Sequence, residues 1–241
     1  MKKKRFLLLI VAFVCLFSTR VYAMDLGKLE KVEDTLIPDG KNAIILQKIT
    51  AVTNDKGEVA FSLYDESEIL KVEATKGSIV ETPQKVENGD QEYNLIVFNE
   101  KKSEVTFEVT MNKEGVYEGE EAKLGDTFPG GVLAIEHKVV NTSPNNIESY
   151  SAEIAVPKGK ELLNIVDYDP EEAFNIIEKD GYVFGGFDFK DIDAGQETEL
   201  AINIMKPNKT YVIQVWVLAV ILSVLFMIKN KHLLKKVQKE K

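Results

Sequence analysis

The chain has 241 residues, a formal net charge of −9 and a single cysteine. An acidic balance of this size disfavours nucleic acid and anionic lipid as partners of the main body. One cysteine excludes a disulfide framework and a cysteine-based zinc site within the chain.

The first residues have the three parts of a secretory signal. Lys2 to Arg5 carry the positive charge, and an apolar core from Phe6 to Phe17 follows. Small residues up to Ala23 predict cleavage after Ala23, so that residues 1–23 form a signal peptide. A retained signal anchor is the alternative. Cys15 lies in the removed segment, and the mature chain then contains no thiol.

Hydrophobic residues recur with period two from Ala43 onward. In the run Glu104–Met111 the apolar residues alternate with Glu and Thr, which predicts a strand with one buried face. The same pattern or a short β-rich run predicts further strands at 43–53, 58–64, 69–74, 93–98, 132–140, 150–156, 182–189 and 200–204.

Turn residues between these runs indicate short connections. Asn54–Gly57 separates two predicted strands and ends in a glycine that can adopt a positive φ. We therefore predict an all-β fold, an antiparallel β-sandwich with one or two immunoglobulin-like modules, plus one C-terminal transmembrane helix. The two-module version places one sandwich at 24–120, a linker at 121–131 and a second sandwich at 132–207. A single larger sandwich with a long crossing loop is the alternative.

One segment of the main body has helical features. Asp169 could cap a short helix over Pro170–Ile177, with Pro170 in its first turn and two glutamates near its amino end. The sequence predicts a helix there.

Three turn motifs in the second half resemble bacterial immunoglobulin-like modules of the NEW3 type. They are Val139–Thr142, Ile154–Gly159 and Asp193–Leu200, within the stretch Gly131–Pro207. The resemblance implies an immunoglobulin-like sandwich that acts as a structural or binding module without chemistry of its own.

Few residue types suited to catalysis are present outside the signal and the tail. His137 is in phase with Leu133 and Ile135, and we expect it to be a structural residue at the edge of a packed face. Clustered carboxylates could bind Ca²⁺, although neither cluster has the spacing of a calcium loop. The calcium candidates are Asp167, Asp169, Asp188, Asp191 and Asp193. We predict no other cofactor and no catalytic residues.

The run Tyr211–Ile228 contains 18 residues without a charge. This length is close to that of a membrane-spanning helix, and Lys229 and Lys231 begin a basic tail at 229–241. The positive-inside rule places this tail in the cytoplasm and the body outside, with Tyr211, Trp216, Ile228, Lys229 and Lys231 as anchor residues.

The sequence thus predicts a single-pass cell-membrane protein of a bacterial surface, with an extracytoplasmic body. Its expected function is to bind or tether an envelope protein or a surface polymer. An accessory subunit of a multi-spanning transporter or enzyme complex is the alternative, and an extracytoplasmic hydrolase is the third possibility. We do not expect an enzyme.

Overall fold

A computed structural model describes residues 25–88, 91–118, 121–122, 132–166, 173–206 and 209–229. The described chain is mainly β, with three sheets and one C-terminal helix, α1, at Lys209–Lys229. The signal peptide at 1–23 and the tail from residue 230 lie outside the described residues. The strands are β1 Lys28–Asp39, β2 Asn42–Val52, β3 Glu58–Ser62, β4 Ser67–Lys76, β5 Ile79–Asn88, β6 Gln91–Phe98, β7 Glu104–Lys113, β8 Glu121–Ala122, β9 Val132–Val140, β10 Ile147–Ala155, β11 Glu161–Val166, β12 Ala173–Lys179, β13 Tyr182–Ile192 and β14 Glu197–Met205.

One large sheet runs through the whole body. Its seven strands have the order β12-β13-β10-β1-β2-β7-β4. A four-stranded sheet, β11-β14-β9-β8, and a three-stranded sheet, β3-β6-β5, complete the described β structure. The sandwich-like fold is therefore built around one shared sheet.

The two smaller sheets pack against different parts of the large one. Phe61 of β3 and Phe98 of β6 contact Phe107 of β7, with ring centroids 5.6 and 5.4 Å apart. Further along, a side chain at Gly185 of β13 would meet Ile202 of β14, which shows how closely these two sheets approach. Residues from all three sheets contribute to one main hydrophobic core.

The alternation predicted for β7 is confirmed. Val105, Phe107, Val109 and Met111 are buried, whereas the residues between them are half-buried or exposed. The turn before β3 also has the predicted glycine conformation, because Gly57 has φ 86°. A Cβ there would lie 2.1 Å from the carbonyl oxygen of Phe98, so the turn requires glycine for space as well.

Two findings differ from the sequence-based expectations. The large sheet is not purely antiparallel, because β1 and β10 pair in parallel from Leu29↔Ile147 to Leu36↔Ile154. The predicted helix at Pro170–Ile177 is wrong over its described part, where β12 pairs antiparallel with β13. Phe174 lies opposite Phe187 in that pairing, and strand pairing therefore outweighs the local capping pattern.

The predicted C-terminal helix is confirmed as a helix. Its side chains are described from residue 213, and they are exposed along the rest of its length. Among the residues that the structure describes, no helix is both long enough and apolar enough to cross a membrane.

Candidate functional site

The outer face of the seven-stranded sheet, opposite the two smaller sheets, carries a shallow depression of about 270 Å³. Strand register brings its residues together. Glu33 of β1 lies between Lys48 of β2 and Ser151 of β10, and Thr35 lies between Leu46 and Glu153. The parallel β1–β10 pair is therefore what assembles the depression, because it places residues more than a hundred positions apart side by side.

Charged side chains surround the depression. Lys179 of β12 pairs with Glu153, and Lys31 pairs with Glu33 at 2.7 Å. Such half-exposed pairs contribute little to stability.

Two charges of the depression are available for a partner. Lys48 of β2 and Glu108 of β7 lie opposite each other, and neither makes an ion pair with a described residue. Leu46 lines the same depression and has 43 % of its surface exposed. Charges without a partner among the described residues can pair with complementary charges of another protein.

A second polar group lies in the core, and two of its members, Asp34 and Gln47, also line the depression. Asp34 and Gln47 are in phase with the buried apolar residues of β1 and β2, and the register pairs them directly. They are 1 % and 2 % exposed. Each strand thus carries one polar side chain on its buried face, where its other positions carry leucine, isoleucine, valine or alanine.

Two tyrosines donate hydrogen bonds to the same oxygen of Asp34. The distances to Asp34 Oδ2 are 2.5 Å from Tyr64 Oη and 2.8 Å from Tyr150 Oη. Gln47 Nε2 in turn donates to Tyr64 Oη at 2.8 Å. His137 of β9 completes the group, with Nε2 at 3.9 Å from Asp34 Oδ2. We call these five residues the core cluster.

Burial determines the protonation of the core cluster. It raises the pKa of Tyr64 and Tyr150, and the Asp34 carboxylate raises both further. It lowers the pKa of His137, and the nearby carboxylate only partly offsets this effect. The pKa of Lys113, whose ammonium lies 6.0 Å from the Tyr64 ring centroid, is also lowered by burial. Both phenols and the imidazole are therefore neutral near pH 7.

Several polar atoms of the core cluster make no hydrogen bond with a described residue. They are Asp34 Oδ1, Gln47 Oε1 and both ring nitrogens of His137. Buried polar groups are normally satisfied, so this concentration in one place indicates a special site.

His137 and the described aspartates among the calcium candidates lie in different parts of the structure. His137 is fully buried, in the middle of the core instead of at its edge. Asp167 and Asp169 lie outside the described residues. Asp188 is exposed on β13, and Asp193 accepts a hydrogen bond from Asn146.

No group of three or more His, Cys, Asp or Glu side chains within the described ranges is arranged for a metal. Calcium binding at Asp188, Asp191 and Asp193 stays a prediction. Of the proposed anchor residues, Trp216 and Ile228 are 69 % and 66 % exposed, Lys229 ends α1, and Lys231 lies outside the described residues.

Sequence reasoning missed most of the core cluster. Gln47 offered a signal, because it interrupts the apolar series of β2 at a buried position. The charged residues that flank Asp34 in the sequence do not indicate that its side chain is buried. The sequence around Tyr64 and Tyr150 indicated only aromatic residues of an apolar core. Only the packing of β9 against the large sheet brings His137 to them.

Comparisons with solved structures show only distant likeness. An M1 zinc metallopeptidase from Deinococcus radiodurans matches with a TM-score of 0.42 and 9 % identity, over 74 % of this chain and 42 % of that chain. A candidate protease from Parabacteroides distasonis matches with a TM-score of 0.37 and 12 % identity, over 76 % and 41 %. This chain thus spans about two fifths of the length of the structures it matches. No protein-family model and no curated protein matches the sequence.

Proposed function

We propose that this protein is a membrane-attached, extracytoplasmic β-sandwich protein that binds another protein through the outer face of its large sheet. The observation that carries the proposal is the depression around Leu46, where Lys48 and Glu108 lack ion-pair partners among the described residues. The immunoglobulin-like resemblance of residues 131–207 supports a binding role.

The lining of the depression favours a protein partner over a surface polymer. Its residues are charged or polar apart from Leu46, and they include no aromatic ring on which a sugar could stack. Unpaired charges of both signs instead suit a partner that offers complementary charges.

The helix supports membrane attachment. Trp216 and Ile228 are 69 % and 66 % exposed, and α1 would have to hold these side chains in water if the protein were not attached. The apolar run also includes Tyr211 and Val212, and six lysines follow Ile228. We propose that the whole run Tyr211–Ile228, which is longer than the part of it with described side chains, inserts into the cell membrane with the lysine-rich tail in the cytoplasm.

A second candidate is an accessory subunit of a larger membrane complex. Only three residues separate the end of β14 at Met205 from the start of α1 at Lys209. This connection spans at most about 14 Å, which would hold the body close to a membrane-embedded partner.

Affinity capture after crosslinking in intact cells tests the binding face. The full chain is compared with the variant Lys48→Glu/Glu108→Lys, in which the two charges exchange places. The matched control is Glu136→Lys, an exposed position on β9. We expect the exchange to reduce recovery of a specific protein about tenfold, while the control leaves recovery unchanged. Equal recovery with all three proteins would refute the assignment of this face.

Protease treatment of cells without their wall tests the membrane orientation. We expect the body to be digested, and a fragment with α1 and the tail to remain in the membrane fraction after alkaline washing. Release of the uncut chain into the wash would contradict membrane insertion. Protection of the body would contradict the orientation.

A further inference from the structure

The core cluster brings together side chains of the kind that bind a metal ion. The phenol oxygens of Tyr64 and Tyr150 lie 2.5 and 2.8 Å from Asp34 Oδ2. In an octahedral site with bonds of about 2.0–2.1 Å, neighbouring ligands are separated by roughly 2.8–3.0 Å. Each phenol oxygen is therefore within a few tenths of an ångström of the spacing from Asp34 Oδ2 that such a site requires.

The position of His137 adds a fourth donor. Its Nε2 is 3.9 Å from Asp34 Oδ2, which is too long for a hydrogen bond. A water molecule that bridged the two atoms with good geometry would require about 4.6 Å. Two metal–ligand bonds of about 2.0–2.2 Å span at most about 4.4 Å and less when the angle is bent, so a metal ion fits the 3.9 Å gap better than water does.

Both ring nitrogens of His137 make no hydrogen bond with a described residue, and the side chain is fully buried. A neutral imidazole in that state has a lone pair ready for a metal ion. Asp34 Oδ1 and Gln47 Oε1 are two further oxygens without a hydrogen-bond partner among the described residues. The cluster can therefore supply more than four donors.

We propose that the core cluster is a metal site for one hard trivalent cation of the ferric type, held by Asp34, Tyr64, Tyr150 and His137. The class of ion follows from charge. When both phenols ligate as phenolates they release two protons, and together with the carboxylate they present three negative charges. A trivalent ion balances these charges, whereas a divalent ion would be balanced with only one phenol deprotonated and would release one proton instead of two.

The ion can reach this site from the surface. A depression of about 290 Å³ is lined by Tyr64 itself, together with Asp65, Glu66, Lys113 and Lys138. Its rim carries two carboxylates and two lysines, and Tyr64 belongs both to this depression and to the core cluster. Asp34 and Gln47 also line the outer depression, so the two proposals share these residues. Their readouts are different, because bound iron and its absorption band test the metal site, whereas recovery of a protein partner tests the outer face.

Metal titration of the full chain, purified in detergent and stripped with a chelator, tests the proposal. The probe is Fe(III) supplied as its nitrilotriacetate chelate, with Zn(II) in parallel. We expect one Fe(III) per chain by elemental analysis, a visible phenolate-to-iron absorption band, and release of two protons per ion. Binding of Zn(II) in place of Fe(III), or absence of the band and of bound iron, would overturn the proposal.

Single variants then test the ligands. Tyr150→Phe keeps the shape of the side chain, and we expect it to weaken Fe(III) binding at least about tenfold and to reduce the band. His137→Gln is the second variant, expected to weaken binding while both phenolates preserve the band. The matched control is Tyr182→Phe, a half-exposed tyrosine outside the cluster. A Tyr150→Phe protein that folds, by circular dichroism, and binds iron as the parent does would overturn the assignment.

Discussion

The two tyrosines of the core cluster provide the sharpest test of the fold. Tyr150→Phe removes one atom and with it one hydrogen bond, 2.8 Å long, to the Asp34 carboxylate. Tyr64→Phe removes the 2.5 Å bond to the same carboxylate and also leaves Gln47 Nε2 without its acceptor. We therefore expect both variants to be less stable than the parent, and Tyr64→Phe to be the less stable of the two.

The size of each effect follows from the kind of hydrogen bond. A bond to a charged group contributes about 1.5–3 kcal/mol, and a neutral one about 0.5–1.5 kcal/mol. Tyr150→Phe should therefore cost about 1.5–3 kcal/mol and Tyr64→Phe about 2–4.5 kcal/mol. In a protein of this size these losses lower Tm by about 3–12 °C and 4–18 °C.

Thermal unfolding followed by circular dichroism measures both variants, at pH 7.5 in detergent and with a chelator present so that no metal contributes. The control is Tyr182→Phe, which leaves the core unchanged. A Tm within about 1 °C of the parent for Tyr64→Phe would refute the inference that Asp34 is held as a buried, hydrogen-bonded carboxylate. A larger loss for Tyr150→Phe than for Tyr64→Phe would refute the role assigned to Gln47.

Three further variants test other parts of the structure. Burial lowers the pKa of His137, so below about pH 6.5 the unfolded chain binds a proton that the folded chain does not. The stability of the fold should therefore fall as the pH decreases through that range. The variant His137→Asn should show a smaller fall in Tm between pH 7 and 5.5. Asn141 is fully buried, and its side chain makes hydrogen bonds with both halves of the body. Asn141→Ala should lower the free energy of unfolding by about 2–5 kcal/mol, measured by chemical denaturation. The control Asn146→Ala, at an exposed position, should lower it by less than half as much. Gly185→Ala places a Cβ 2.6 Å from Ile202 Cγ2 and should cost about 1–3 kcal/mol; unchanged stability would show that the two sheets can separate there.

Strand assignment succeeded where the information is local. Alternation of side chains at every second position determines which face of a strand is buried, and β9 was predicted with its observed bounds for this reason. The same local rule missed β1, because charged residues interrupt its pattern and Asp34 occupies an inward position.

Local rules failed where a distant partner decided the outcome. The capping residues before Ala173 suggested a helix, yet the residues that follow pair with β13. Side chains from other strands also decide where glycine is needed. A Cβ at Gly185 would meet the Ile202 side chain, and a Cβ at Gly186 would meet the Asn175 side chain.

The candidate sites show the same division. Buried and less buried residues alternate along β1 and β2 at the outer depression, but the depression exists only because β1 and β10 pair in parallel. The core cluster draws His137 and Asp34 from positions more than a hundred residues apart. Neither arrangement could be inferred from one strand at a time.

By itself the sequence determined the β-rich class, the positions of most strands and the C-terminal helix, because each depends on the chemistry of neighbouring residues. Only the tertiary structure decided that one seven-stranded sheet unites the two halves and that a carboxylate, two phenols and an imidazole meet in its core. These features depend on pairing and packing between segments far apart in the chain, and no local pattern specifies which of the possible partners a strand will choose.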